Sequence, residues 1–197
     1  MKKIDKMKKA LRVIMLLLLI AIVIYAVLIV LPNKPNNPQV ETIDKVDEYV
    51  LYKRDTDLYK EEFNKFKEEL SGNKDYEKCA EYMSKLFVID FYTLSNKDNK
   101  DDVGGVQYIY TNSKDNFVLN ASNTIYKYIN DMEKPTVSSI NLKSNEKTTY
   151  KIKDKEYEAY IIELSWEYEK DLEYDKEGKV TIIKDNDKLY VVEFGHE

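Results

Sequence analysis

Residues 160–169 read YIIELSWEYE, and this stretch has the clearest β-strand pattern in the chain. Apolar side chains alternate with mostly polar ones, which predicts a strand with one buried face and one solvated face. The predicted buried face carries Tyr160, Ile162, Leu164, Trp166 and Tyr168. The period of two extends to both sides of this stretch. Further strands are predicted at residues 136–142 and 148–152, and the second continues the first or pairs with it. A hairpin is predicted from residues 179–184 and 189–194.

The chain before Pro135 has a helical period instead. A first helix is predicted at residues 56–70, capped by Thr56 or Asp57, with one apolar stripe made of Tyr59, Phe63, Phe66 and Leu70. A second helix is predicted at residues 75–94. It is the more apolar of the two and is expected to be central, and its stripe consists of Tyr76, Cys79, Ala80, Met83, Leu86, Phe87, Phe91 and Leu94. A third is predicted at residues 115–130, with a buried face of Val118, Ala121, Ser122, Ile125, Tyr128 and Ile129.

Two shorter segments complete this region. Residues 47–54 are rich in β-branched and aromatic side chains and predict a short strand before the helices. Gly104 and Gly105, within the stretch VGGV after a polar loop, permit a turn or a close backbone approach. No Gly-Lys-Ser/Thr follows them, so this is not a phosphate-binding loop. Helices followed by consecutive strands predict an α+β domain in which helices pack on a curved, antiparallel, cone-like sheet.

The N-terminal region predicts a membrane anchor. An uncharged apolar run begins at Val13 and ends at Leu31, and its nineteen residues would span roughly 28 Å as a helix. Residues 1–12 contain six Lys/Arg and one acidic residue. By the positive-inside rule this basic tail is cytoplasmic and the rest of the chain is extracytoplasmic. The alternative is a cleaved signal peptide, but the run is longer than such a hydrophobic region and no small-residue cleavage site follows.

The charge of the remaining chain restricts its partners. Residues 32–42 contain three prolines and three asparagines and predict an extended linker to a domain at residues 43–197. Without the basic tail, the chain totals of 31 Lys/Arg and 36 Asp/Glu leave 25 and 35 for residues 32–197, a net charge of −10. Such an acidic domain repels phosphate backbones, so we expect no nucleic-acid partner. The Lys-, Asn- and Tyr-rich composition is typical of AT-rich bacterial genomes.

The order of elements resembles that of nuclear transport factor 2-like domains, over residues 43–197. In that cone-shaped fold, N-terminal helices pack into a curved antiparallel sheet. With a short cytoplasmic tail and a single anchor, the chain is also similar to the inner-membrane scaffold component of type IV secretion and conjugation machines. The phrases LFVIDFYTL at residues 86–94 and DVGGV at residues 102–106 have the look of signatures of a narrow bacterial family. The resemblance implies a homodimer formed through the sheet, and other membrane or envelope proteins as partners.

Asp90 is the candidate catalytic residue, because a carboxylate on the apolar stripe of a helix must find donors or change its pKa. The resemblance extends to ketosteroid isomerase-like enzymes, which use an acid and tyrosines in the cone cavity. In that hypothesis Asp90 lies in a pocket and abstracts a proton next to a carbonyl. The alternative is that Asp90 accepts hydrogen bonds from backbone amides of the loop at residues 103–106, or lies at the wet edge of the stripe.

The remaining candidates have simpler interpretations. Cys79, the only cysteine, is expected to be buried, and His196, the only histidine, forms no catalytic triad. Trp166 is expected in the core. An acidic row could bind Ca²⁺ loosely but is better explained as a solvated strand face, and it consists of Glu163, Glu167, Glu169, Asp171 and Glu173. We therefore expect no cofactor, no metal and no enzymatic activity, but a membrane-anchored interaction or scaffold domain of the cell envelope.

Overall fold

The computed structural model describes residues 40–72 and 74–195, which belong to one compact unit that begins at Val40. This unit is α+β, as the sequence predicts. Within the described residues, no helix is long and apolar enough to cross a membrane. The basic tail, the predicted anchor at residues 13–31 and most of the linker lie outside the described residues, as does His196.

The two long helices begin at capping side chains that the sequence contains at those positions. Helix α1 is Asp57–Ser71, and the Thr56 hydroxyl accepts a hydrogen bond from the Tyr59 N–H at 3.2 Å. Its predicted apolar stripe is buried. Helix α2 is Tyr76–Tyr92, capped by Asp75. It is buried on nearly all sides, since Ser84, Val88, Ile89 and Tyr92 are buried together with its predicted stripe.

Four antiparallel strands form the main sheet in chain order. They are β3 (Val137–Ile152), β4 (Lys155–Tyr168), β5 (Glu177–Asp185) and β6 (Lys188–Gly195). The two strand pieces predicted at residues 136–142 and 148–152 are one continuous strand. The predicted alternation of β4 is confirmed, because the five residues of its predicted inner face, from Tyr160 to Tyr168, are all buried. Irregular pairing interrupts β3 near residues 138 and 143 and the β5–β6 pair near residue 181, and such bulges bend strands.

A second, two-stranded sheet precedes the helices. Strand β2 (Tyr49–Tyr52) lies inside the predicted segment 47–54 and pairs with β1 (Thr42–Val46), which the sequence analysis did not predict. Thr42, Ile43 and Val46 of β1 are β-branched, but the polar Asp44 and Lys45 between them leave no alternating pattern by which the strand could be predicted. The turn between them places Asp47 at φ 50°, a left-handed conformation that aspartate tolerates.

The third helix is shorter than predicted, and its end is a correction to the sequence analysis. Helix α3 is Lys114–Asn123, and turns rather than helix follow to residue 131. Tyr128, predicted on the buried face, is 57% exposed, and Tyr126 is fully buried instead. The reason is tertiary: the Tyr126 hydroxyl donates to the Phe91 carbonyl at 2.6 Å and accepts from the Gly104 N–H at 3.0 Å.

The main core lies between the helices and one face of the large sheet. Trp166 of β4 packs on Tyr92 of α2, with their ring centroids 5.1 Å apart. Trp166 is 1% exposed, and its indole N–H donates to the Tyr168 hydroxyl at 2.9 Å. The opposite face of the sheet carries a smaller cluster, which we call the tyrosine face, made of Tyr110, Tyr150, Ile152, Tyr157, Ala159, Ile183, Tyr190 and Val192.

Candidate functional site

Asp90 lies near the end of α2 and is held by two donors. Its Oδ1 accepts a hydrogen bond from the Lys97 ammonium at 2.5 Å, and its Oδ2 accepts from the Gly105 N–H at 2.6 Å. The Asp90 side chain is 16% exposed and the Lys97 side chain only 1%. The pair is therefore a largely buried salt bridge, in which each charge is the principal compensation for the other.

The double glycine brings the loop onto α2, as the sequence analysis expected of a close backbone approach. A Cβ atom built on Gly104 would lie 2.0 Å from the Asp90 carbonyl oxygen. Gly105 has φ 75°, and a Cβ there would lie 2.7 Å from the Phe87 ring. No other residue type fits at either position without moving the helix or the loop. The glycines thus allow the backbone N–H of Gly105 to reach the Asp90 carboxylate.

A second ion pair lies in the same region. The Arg54 guanidinium donates two hydrogen bonds to Asp102, at 2.6 and 2.7 Å, in a bidentate arrangement. Burial tends to raise the pKa of Asp102, but the bonds from Arg54 lower it below its usual value. Asp102 also accepts from the backbone N–H of Asp98 at 3.0 Å. These contacts fasten the polar loop at residues 95–102 to the segment between β2 and α1.

Asp55 is a third carboxylate of this region, and its pKa is raised. It is 6% exposed, and its Oδ2 accepts from the Tyr52 N–H at 2.7 Å. Burial, assisted by the negative charge of Asp90, raises the pKa of Asp55 to about 6, against the smaller opposing effects of the Tyr52 bond and of Lys97 and Arg54. Asp55, Asp90, Asp102, Arg54 and Lys97 together carry one more negative than positive charge when all are ionised.

Buried tyrosines adjoin this cluster, as the pocket hypothesis for Asp90 requires. The hydroxyls of Tyr59 and Tyr108 are hydrogen-bonded to each other, and the Gln107 amide donates to Tyr59 at 2.9 Å. The Gln107 side chain also pairs with both backbone groups of Val50, at 2.8 and 3.1 Å. Tyr59 and Tyr108 are almost completely buried, and burial raises the pKa of both hydroxyls well above the usual value. At neutral pH this network consists of neutral hydroxyls that link α1, β2 and the loop.

The described domain also has an open cleft of about 430 Å³ between α3 and β6. Phe91 and Tyr92 line it, but Asp90, the residue before them, does not. Asp90 therefore contacts Lys97 and Gly105, and the cleft is lined by other side chains. Its aromatic wall contains Phe91, Phe117 and Phe194, with ring centroids of Phe91 5.5 Å from Phe117 and 6.0 Å from Phe194. A volume of this size is within the range of small-molecule sites.

The helical wall of the cleft is mostly polar. Ser113, Asn116, Asn120 and Thr124 line it together with Phe117 and Ala121. These positions recur at helical spacing, so they form one face along α3 and its two ends. Sequence analysis did not single out Asn116 or Asn120, although the helical period that places Ala121 on an inward face also places these amides beside it.

The other predicted residues have the following surroundings. Burial raises the pKa of the fully buried Cys79 thiol to about 11, as expected for a small core side chain. In the acidic row, Glu163 pairs with Lys179 at 3.0 Å and Asp171 with Lys176 at 3.0 Å. Within residues 40–72 and 74–195, no group of three or more His, Cys, Asp or Glu side chains is placed to hold a metal ion.

The chain was compared with protein-family models, with curated proteins and with solved structures. None of the three comparisons finds a match.

Proposed function

We propose that this chain is a single-pass membrane protein whose extracytoplasmic domain is a non-enzymatic interaction or scaffold module of the cell envelope. The observation that carries the proposal is the sequence of the first 31 residues, in which six cations precede nineteen uncharged apolar residues. A compact α+β unit beginning at Val40 is consistent with a folded domain that follows an anchor and a linker.

The contacts of Asp90, the candidate catalytic residue, support a structural role for its carboxylate. A general base must lie within hydrogen-bonding reach of a substrate proton. Asp90 is 16% exposed, does not line the cleft, and has each oxygen held by a donor of the protein itself, Lys97 or Gly105. The neighbouring Arg54 and Asp102 are likewise engaged with each other. We infer that this cluster holds α2, the loop at residues 95–105 and the β2–α1 connection together.

The more specific form of the proposal is a scaffold component of a type IV secretion or conjugation machine with the cone fold of nuclear transport factor 2-like domains. Three features support it: helices before an antiparallel sheet, bulges that bend the long strands, and a predicted anchor at the N-terminus. The cone fold implies a homodimer through the sheet. The tyrosine face suits a second copy, because its partly exposed apolar side chains lie beside charges of both signs, such as the Lys155–Asp185 pair at 2.8 Å.

The experiment is crosslinking of the tagged full-length protein in its own cells, followed by mass spectrometry of the proteins recovered. We expect a defined set of membrane or envelope proteins and a crosslinked dimer of the chain. A Tyr150→Lys variant places a charge on the tyrosine face and is expected to reduce the dimer. Thr149→Lys, the adjacent exposed residue of β3 that points to the opposite face, is the matched control and is expected to leave it unchanged.

Two results would contradict the proposal. Recovery of the chain in the culture medium, with a new N-terminus beyond residue 31, would show that the apolar run is a cleaved signal peptide. Recovery of the anchored chain without any partner would contradict the scaffold role. Partners that include the ATPase of a secretion machine would support the type IV form, whereas other envelope partners would retain only the general form.

A further inference from the structure

Helix α3 has polar side chains on the face that is turned toward β6. A helix face that packs on a sheet is normally apolar, because its burial drives the packing. The face of α3 that lines the cleft instead presents a serine before the helix, two asparagines within it and a threonine after it, with Phe117 and Ala121 between them and Ile125 after them. These polar residues face a gap of about 430 Å³ rather than the apolar strand residues across it. The face is suited to contact something that occupies the gap.

Asn116 and Asn120 are the central pair of this face. They are four residues apart, which places their Cβ atoms about 5–6 Å from each other on one side of the helix. Neither side chain forms a hydrogen bond or an ion pair with any residue in the part of the chain that the structure describes. Each amide offers two donors and an acceptor to the cleft. A hydroxyl group both donates and accepts, so a row of amides is well matched to a row of hydroxyls.

Aromatic side chains of α2, α3 and β6 supply an apolar surface beside these amides. Phe117 and Phe194 are half-buried, and both rings lie against the buried ring of Phe91. Their accessible parts border the same cleft as the two amides. A pyranose ring is complementary to an aromatic surface beside amides, since its C–H groups form an apolar face and its hydroxyls project from the edge. Small-molecule sites commonly combine apolar walls with a few placed polar groups in this way.

The charges of the lining exclude other ligand classes. Among the residues that the structure describes, no lysine or arginine lines the cleft, and Glu193 is the one carboxylate that does. Phosphates, nucleotides and fatty acids would thus bring a negative charge to a site without a cation. An extended peptide would add to the free edge of β6, but at Val191 that edge already accepts a hydrogen bond from the Tyr110 N–H at 2.9 Å. We propose that the cleft between α3 and β6 binds a neutral saccharide, a short piece of a glycan chain.

This binding activity goes beyond the scaffold role and does not depend on the membrane anchor. Its test uses the full-length chain in a detergent without a sugar headgroup, with chitotetraose and cellotetraose as probes. Trp166 is the only tryptophan of the chain and packs on Tyr92, a residue of the cleft wall. We expect at least one of the two sugars to change the Trp166 fluorescence in a saturable way, with the same affinity by calorimetry.

Three variants connect the signal to the cleft. Asn116→Ala and Asn120→Ala are each expected to weaken binding about two- to tenfold, as for the loss of one or two hydrogen bonds. Phe117→Ala tests the apolar wall in the same titration. Asn141→Ala, an exposed asparagine of β3 outside the cleft, is the matched control and is expected to bind like the wild type. The asparagines are exposed, so their removal is not expected to alter folding.

The outcomes that overturn the proposal are distinct. Failure of both sugars to bind overturns it. Binding that Asn116→Ala and Asn120→Ala leave unchanged places the sugar elsewhere and overturns the assignment to the cleft. A photoreactive amino acid at position 120 distinguishes the remaining alternative: if it captures a polypeptide that neither sugar displaces, the cleft is a peptide site.

Discussion

The carboxylate of Asp90 accepts a hydrogen bond from the backbone N–H of Gly105, fifteen residues further along the chain, while its other oxygen pairs with the buried ammonium of Lys97. One side chain thus compensates both a buried cation and a loop amide. The arrangement explains why an acid stands on the apolar stripe of α2, and it makes the stability of the domain sensitive to each partner.

Removing the Asp90 carboxylate should be strongly destabilising. We expect Asp90→Ala to lower the free energy of unfolding by about 3–5 kcal/mol, because the Lys97 charge would remain buried without its partner. The double variant Asp90→Leu/Lys97→Met should lose less than the sum of the losses in Asp90→Leu and in Lys97→Met. Urea denaturation measures all four variants. Glu41→Ala, which breaks the exposed Glu41–Lys53 pair, is the control and should cost at most about 1 kcal/mol. Additive losses in the double variant would refute the coupling.

A methyl group at Gly104 should disrupt the junction of loop and helix. The new Cβ would meet the backbone carbonyl of Asp90, which cannot rotate away as a side chain does. We expect Gly104→Ala to cost more than about 3 kcal/mol or to prevent folding, as overpacking against backbone does. Gly195→Ala is the matched control, since a Cβ there meets nothing within 4 Å. Comparison of the two thermal midpoints checks the expectation, and equal midpoints would contradict it.

Asp55 should make stability depend on pH in a predictable direction. Its pKa is raised in the folded state, so its contribution is most favourable below its unfolded pKa of about 4 and is lost as the pH rises through about 6. Asp55→Asn retains an oxygen for the Tyr52 N–H but has no charge. Between pH 4 and pH 7, the free energy of unfolding of the variant should therefore rise by about 2–3 kcal/mol relative to that of the wild type. Chemical denaturation across this range measures the difference, and a constant difference would count against it.

Asp102 offers a control of opposite sign for that experiment. The bonds from Arg54 lower its pKa in the folded state, so its contribution is present above its unfolded pKa and is lost as the pH falls through the lower folded value. Asp102→Asn should therefore lose stability relative to the wild type, and more of it at neutral pH than in acid. The two variants together separate a specific effect of Asp55 from a general effect of net charge.

Cys79 should be chemically silent in the folded protein. Its side chain is fully buried and its thiol pKa is about 11, so little thiolate forms at pH 8 and no reagent reaches it. We expect Ellman's reagent to react slowly with the native chain and at once in concentrated guanidinium chloride. Because this is the only cysteine, the reaction reports on this position alone. A fast, stoichiometric reaction of the native protein would show that α2 opens readily.

The parts of the fold that the sequence predicts are those with local causes. The period of two in β4 and the stripe of α1 arise from neighbouring residues, and both are found as predicted. The end of α3 has a distant cause, since Tyr126 is buried by its bonds to Phe91 and Gly104. The pairing of β1 similarly depends on a partner strand, because its own five residues have no alternating pattern.

The same distinction applies to the candidate sites. The sequence placed Asp90 on an apolar stripe and offered the glycine loop as its partner, because both features are local. Lys97 was not foreseen, since it belongs to a polar loop in which any lysine would be expected to be solvated. The cleft was not foreseen either, because it forms between residues 113–124 and 191–195, and only the folded chain brings these segments together.

The chain order of the sheet has a consequence for how the domain is made. All four strands of the main sheet lie after residue 136, so α2 is synthesised before the sheet that covers it. Until β6 is complete, the aromatic side chains of α2 that pack on the sheet, such as Phe87 and Tyr92, lack part of their cover and are exposed to aggregation or to a chaperone. The sheet itself can then assemble rapidly by successive hairpins, since each strand pairs with its neighbour in sequence. A chain interrupted before residue 188 would lack Leu189 and Val191 from its core, so the domain can complete its packing only after these residues have been translated.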